Sequence, residues 1–235
     1  MKKLLASALM AFASAASLAE PPLADNELLE GANSYQNKDY IKAKERFENA
    51  ASHGSIKAEV MLGTMYAEGV GVTKDNQQAM VWFRKAAERN DADAQNMMGY
   101  LFINGNGVIQ DYKQALFWYH KSADSGNAEG QFRLGSMYMA GLGVNKDENA
   151  AVELWKKSAE NGNANACLMM GAIYFDGSYG VTQDYIEAYK WFNIASANGA
   201  PFAAAQRNIT KKKLSPEQIQ IAQQRASDWM KAHSN

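Results

Sequence analysis

The residues that could do chemistry are few and badly spaced for it. The histidines are His53, His120 and His233, and the one cysteine is Cys167. No two histidines stand one helical turn apart, as a helical metal pair would require, and no serine occupies a Gly-x-Ser-x-Gly elbow. Cys167 has no histidine or cysteine neighbour in its own segment, so its position suits a small, partly buried filler rather than a reactive or metal-bound thiol. A single cysteine also excludes an intramolecular disulfide. The glutamates are scattered, with no spacing that singles out an acid/base pair. The only acidic residue that recurs is an aspartate: Asp75, Asp111, Asp147 and Asp184. The alternating Asp/Asn ligands and closing Glu of a calcium loop are missing around each, so these aspartates are expected to cap helices. The spacing therefore predicts no catalytic residue, no metal and no cofactor.

The aspartates belong to a larger pattern. Gly63 is echoed by Gly99, Gly135 and Gly171, each 36 residues after the last. Tyr66 returns as Phe102, Tyr138 and Tyr174, and Ala79 as Ala115, Ala151 and Ala188. The pair Gly69/Gly71 returns as Gly105/Gly107, Gly141/Gly143 and Gly177/Gly180, the last with one extra residue near Ser178 or Tyr179. A fixed period of this length marks stacked helical repeats. Each copy reads as a helix A, a glycine turn and a helix B. Ala58, Leu62 and Tyr66 form one stripe of helix A. Gly63 sits mid-helix, which predicts a close neighbour that tolerates no Cβ. Helix B is expected to bury Ala79, Trp82, Phe83, Ala86 and Ala87, then Ala115, Trp118, Tyr119 and Ala123. The later copies offer Ala151, Leu154, Trp155 and Ala159, then Ala188, Trp191, Phe192 and Ala195. Asn90, Gly126, Gly162 and Gly199 suit left-handed helix ends. The Gly-x-Gly turns follow no strand and open no helix with a third glycine, so a nucleotide-binding reading fails.

The fold class predicted is all-α: a right-handed α-solenoid of about five helix-turn-helix units plus a C-terminal capping helix. Residues 1–19 read as a signal peptide, with Lys2 and Lys3 before an apolar run and a cleavage site at Ser17-Leu18-Ala19. That run is too short to span a membrane, and Glu20 follows the cleavage site where a lipid-modified cysteine would stand. A periplasmic or secreted location after cleavage near Ala19 is the expectation, with no membrane anchor. Residues 20–54 form an N-terminal linker and an atypical capping hairpin, 55–199 the four full repeats, and 200–235 the C-terminal capping region. Pro201 is expected to end the regular array. A last helix should start at Ser215-Pro216-Glu217-Gln218, with Ile219, Ala222, Ala226 and Trp229 as its apolar face. The formal charge of −1 argues against a nucleic-acid partner.

The recurring set Ala58, Leu62, Gly63, Tyr66, Gly69, Gly71, Asp75, Ala79, Trp82, Phe83 and Ala86 resembles the Sel-1-like repeat family, a branch of the tetratricopeptide superfamily. The resemblance covers about residues 55–199 and implies an exported bacterial scaffold that binds a protein or peptide partner. In such stacks helix A forms the concave face. On that alignment the face carries Lys57, Val60 and Thr64, then Asp93, Asn96 and Tyr100. It continues with Glu129, Phe132 and Ser136, then Asn165, Leu168 and Ala172. These positions vary between copies while the packing positions do not. Tyr100 and Phe132 are candidate anchors, or else gap fillers between adjacent repeats. The resemblance carries two further expectations. One is an immunity protein that neutralises a type VI secretion lipase effector. The other is an enzyme acting on β-lactams or peptidoglycan, as in a cysteine-rich subgroup whose paired cysteines this chain lacks.

Overall fold

The computed structural model describes residues 23–233, and the segment read as a signal peptide lies outside them. Twelve α-helices and no strand occur among the described residues. The chain divides into two compact units at Asp111/Tyr112. The first holds α1 (Leu23–Gln36), α2 (Tyr40–Ser52), α3 (Ile56–Glu68), α4 (Asn76–Glu88) and α5 (Ala92–Asn104). The second holds α6 (Tyr112–Asp124), α7 (Ala128–Ala140), α8 (Glu148–Glu160), α9 (Ala164–Asp176), α10 (Tyr185–Ala197), α11 (Ala203–Lys211) and α12 (Pro216–Ala232). None is long and apolar enough to cross a membrane.

Most helices start where a short polar side chain satisfies orphan backbone donors; α11, which follows Phe202, has no side-chain cap. The helices A α3, α5, α7 and α9 begin at Ser55, Asp91, Asn127 and Asn163, each accepting from the N–H three residues on. Asp75, Asp147 and Asp184, three of the four periodic aspartates, cap helix B as expected. Asp75 Oδ1 accepts from Gln77 and Gln78 at 2.9 and 3.0 Å, and Asp184 repeats this with Ile186 and Glu187. The backbone N–H groups of all four also close the turn, donating to Tyr66, Phe102, Tyr138 and Tyr174 carbonyls at 2.9–3.0 Å. The aspartate thus recurs because one residue secures both the turn and the helix behind it.

The mid-helix glycines have a defined partner. A Cβ built on Gly63 would lie 2.7 Å from ring carbons of Phe83, and one on Gly171 2.6 Å from those of Phe192. Gly135 faces Trp155 at 2.9 Å, and Gly31 faces Phe47 at 2.6 Å. The close neighbour is therefore the aromatic ring of the helix B that follows, seated flat on a helix A face stripped of its side chain. In the first three repeats the second turn glycine meets the start of an earlier helix B instead: Gly107 would place a Cβ 2.6 Å from the Asn76 carbonyl carbon, whereas Gly180 meets nothing within 4 Å.

One expectation is corrected. Trp82 and Leu154 are only partly buried, while the next residue, Phe83 or Trp155, takes the slot over the glycine. Trp82 instead lies under the Lys85 ammonium, 4.1 Å from its ring centroid. The regular array ends just before Pro201, as expected, but a further helix, α11, stands between it and the last one. Ala203, at the head of α11, is fully buried in the core of the second unit with Trp155, Met170, Ile173, Trp191 and Ala195. The final helix begins at Pro216 with a complete Ser215/Gln218 capping box, and Trp229 on it meets Trp191 edge-on at 6.1 Å.

Candidate functional site

The chemistry-bearing residues are engaged in structure. Cys167 is fully buried, and burial pushes its thiol up to about 12. Its Sγ donates to the Ala159 carbonyl at 3.5 Å. The equivalent residues of the preceding repeats are Gln131 and Gln95, whose amides donate to Ala123 and Ala87 carbonyls. Cys167 therefore fills a recurrent donor position. Glu59 stands at the same place in the first repeat and is 6% exposed. Burial raises its carboxyl pKa, and Arg89 at 3.4 Å offsets part of that. His120 shares a 3.1 Å hydrogen bond with Tyr138. No group of three or more His, Cys, Asp or Glu residues among the described ones is placed to hold a metal.

The positions expected on the helix A face fall into different environments. In the first unit Lys57 and Asp93 are exposed, while Val60, Thr64 and Tyr100 are half-buried. Asn96 is buried, at 5% exposure. The Thr64 hydroxyl is turned back onto the Val60 carbonyl at 2.9 Å. In the second unit Ser136 does the same to Phe132. Glu129 accepts from Arg133 Nε and Asn163 Nδ2, both at 2.7 Å. These polar groups serve the fold.

Phe132, Asn165, Leu168 and Ala172 converge. With Met169, Phe175 and Asp176 of the same two helices they line an open hollow of about 620 Å³. Phe192 of α10 forms part of its floor, and Phe202 and Gln206 close one side. The volume lies within the roughly 300–1,000 Å³ typical of binding pockets. Helical spacing explains the main wall: 165, 168, 169, 172, 175 and 176 form one stripe of α9. Phe132 also packs against the core beneath, with its ring 6.4 Å from that of Trp155.

Phe202 is the unusual member. It is 79% exposed and holds φ +64°, a left-handed conformation that costs a side-chain-bearing residue about 1–2 kcal/mol. Sequence reasoning missed it because α11 was not foreseen. Phe175 and Met169 were within reach of it, since both extend the stripe through Leu168 and Ala172. A second hollow of about 620 Å³ lies beside Trp229 and His233. Its polar groups are already committed: Asn198 donates to Gly162 O at 3.0 Å, and the Trp229 and His233 rings stack at 4.0 Å.

The Sel1 repeat profile matches residues 56–91, 92–127, 128–163 and 164–199. The chain belongs to the Sel1 repeat family. A Sel1 repeat protein from Oxalobacter formigenes is 32% identical over 90% of this chain and 87% of that one, with a TM-score of 0.74. The fold is thus an all-α solenoid of Sel1 repeats. An immunity protein from Pseudomonas aeruginosa is 18% identical over 90% of this chain and 85% of that one, TM-score 0.55. A putative Sel1 repeat protein from Klebsiella pneumoniae is 19% identical over 80% of this chain and 93% of that one, TM-score 0.52. At these identities the likeness concerns the fold. No curated protein matches the chain.

Proposed function

We propose that this Sel1 repeat protein is an exported, non-catalytic scaffold that binds a protein or peptide partner on its helix A face, anchored in the hollow of the second unit. The observation that supports it is the division of labour between positions. Residues that recur every repeat are consumed by packing and caps. Residues that vary, Phe132, Asn165, Leu168 and Ala172, line a hollow. Export rests on the signal-peptide reading, and the mature protein starts at Glu20.

The test is affinity capture from periplasmic extract with tagged residues 20–235, beside a bait carrying Phe132→Ala and Leu168→Ala. Circular dichroism first verifies that the second bait is folded. A partner held by the first bait and lost from the second supports the reading. A partner retained equally by both refutes it. Recovery of the full-length mass, with residues 1–19 still attached, refutes export.

A narrower form makes the partner a type VI secretion lipase effector. Its support is the fold shared with two Pseudomonas aeruginosa immunity proteins, at 18% and 15% identity. It requires that the chain protect cells from an effector encoded beside it.

A further inference from the structure

We propose that the hollow of the second unit takes a protein segment presenting a lysine or arginine next to a large apolar side chain. This rests on the partner-binding reading above and names the chemistry of the partner.

The walls supply the apolar half. Phe132, Phe175 and Phe202 surround the hollow, with Leu168 and Met169 between them. Aromatic faces accept both apolar groups and cations. The polar groups supply the other half. Asn165, Asp176 and Gln206 line the same hollow, and their side chains carry no hydrogen bond or ion pair among the described residues. A carboxylate is purely an acceptor, and an amide oxygen accepts as well.

The lining of the hollow itself holds no cation. Arg133 Nε is held by Glu129 at 2.7 Å, and Arg207 Nη1 donates to Asn193 Oδ1 at 3.1 Å. Asp176 is therefore the one unmatched charge lining the hollow, and it favours a cation. An acidic segment would meet that carboxylate with no cation in the lining to receive it. Phe202 adds an independent argument. The chain keeps an exposed aromatic in a left-handed conformation, where glycine would be unstrained. An outlier of this kind, set at the edge of a hollow, points to use of the ring.

Three fluorescein-labelled peptides of about twelve residues test this, sharing one pattern of phenylalanine and leucine. Their polar positions are filled with lysine, serine or glutamate. Fluorescence anisotropy against residues 20–235 gives their affinities. The lysine peptide should bind at least about 10-fold tighter than the glutamate peptide, in keeping with charge complementarity as a source of specificity. Asp176→Asn should weaken the lysine peptide by about 2–5-fold, the size of an exposed ion pair, and leave the serine peptide unchanged. Phe202→Gly should weaken both.

Equal binding of lysine and glutamate peptides overturns the proposal, as does an Asp176→Asn variant that holds the lysine peptide unweakened. If serine and lysine peptides bind alike and both are lost with Phe202→Gly, the charge preference falls and the partner-binding reading stands. If binding ignores Phe202→Gly, or no peptide binds, the hollow is not the site and both fall.

Discussion

Gly171→Ala is a substitution whose sign separates two effects. On an isolated helix, alanine is favoured over glycine by about 1 kcal/mol. Here the added methyl would sit 2.6 Å from two ring carbons of Phe192. Carbon atoms prefer separations of about 3.5–4.0 Å, so the overlap approaches 1 Å at two atoms. Phe192 is 1% exposed, so moving its ring aside means leaving its rotamer or shifting α10. Overpacking of this kind costs about 1–3 kcal/mol. After the helical gain is subtracted, a net loss of up to about 2 kcal/mol is expected, or up to about 8 °C in Tm for a chain of this size. Urea and thermal unfolding of residues 20–235, followed by circular dichroism, measure it. Phe192→Leu should remove the obstruction, so that Gly171→Ala becomes neutral or stabilising in that background. The coupling between the two changes should exceed about 1 kcal/mol. If Gly171→Ala stabilises the native chain, or costs the same with and without the ring, the packing account of the periodic glycine is wrong.

Glu59→Gln installs the residue that the next two repeats hold at this position. Burial raises the folded carboxyl pKa above its ordinary 4.5, so the folded state holds the proton more tightly and stability falls as pH rises from 4.5 through the folded value. The variant should be more stable than the native chain at pH 7, with the difference closing toward pH 4; unfolding curves across that range would expose a constant difference as a contradiction. Cys167, with its thiol at about 12, should resist iodoacetamide at pH 8 in the folded chain and react after unfolding in urea; rapid native labelling, read by mass spectrometry, would contradict its burial. Asp184→Ala removes the acceptor for two N–H groups and should cost about 0.5–2 kcal/mol in urea unfolding. Phe202→Gly relieves a left-handed side chain and should raise stability by about 1 kcal/mol, a gain that an unchanged or lower Tm would rule out.

The repeating half of this structure was legible because its causes are local and recur at one period. Asp75 both caps α4 and closes the turn, so its type and place reappear wherever that turn does. The glycine facing an aromatic is equally local, since Gly63 and Phe83 lie on consecutive helices. Cys167 carried a signal that went unread: a residue 36 positions after Gln131 inherits its donor duty whatever its own chemistry. The partial exposure of Trp82 and Leu154 was hidden because helical periodicity gives two adjacent aromatic or aliphatic residues the same face. The residue over the glycine is buried each time, while its neighbour is buried in some repeats, as Trp118 and Trp191 are, and half-exposed in others.

The hollow divides along the same line. Its walls on α7 and α9 lie inside the period, and the family resemblance together with the register had already placed Phe132, Asn165, Leu168 and Ala172 on the helix A face. Its remaining side lies where the period fails. Pro201 reads as a stop, yet Ala203 fits the buried slot that Ala166 fills one repeat earlier, and so a further helix docks. Burial of that small residue is a tertiary effect that no local pattern announces. Phe202, displaced into a left-handed turn by the same junction, becomes the exposed ring beside the hollow. In a repeat array the packing residues are those that recur, so a binding site has to be built from departures. The proposed site gathers two kinds of departure: side chains that differ between helices A, and a chain segment that leaves the repeat altogether.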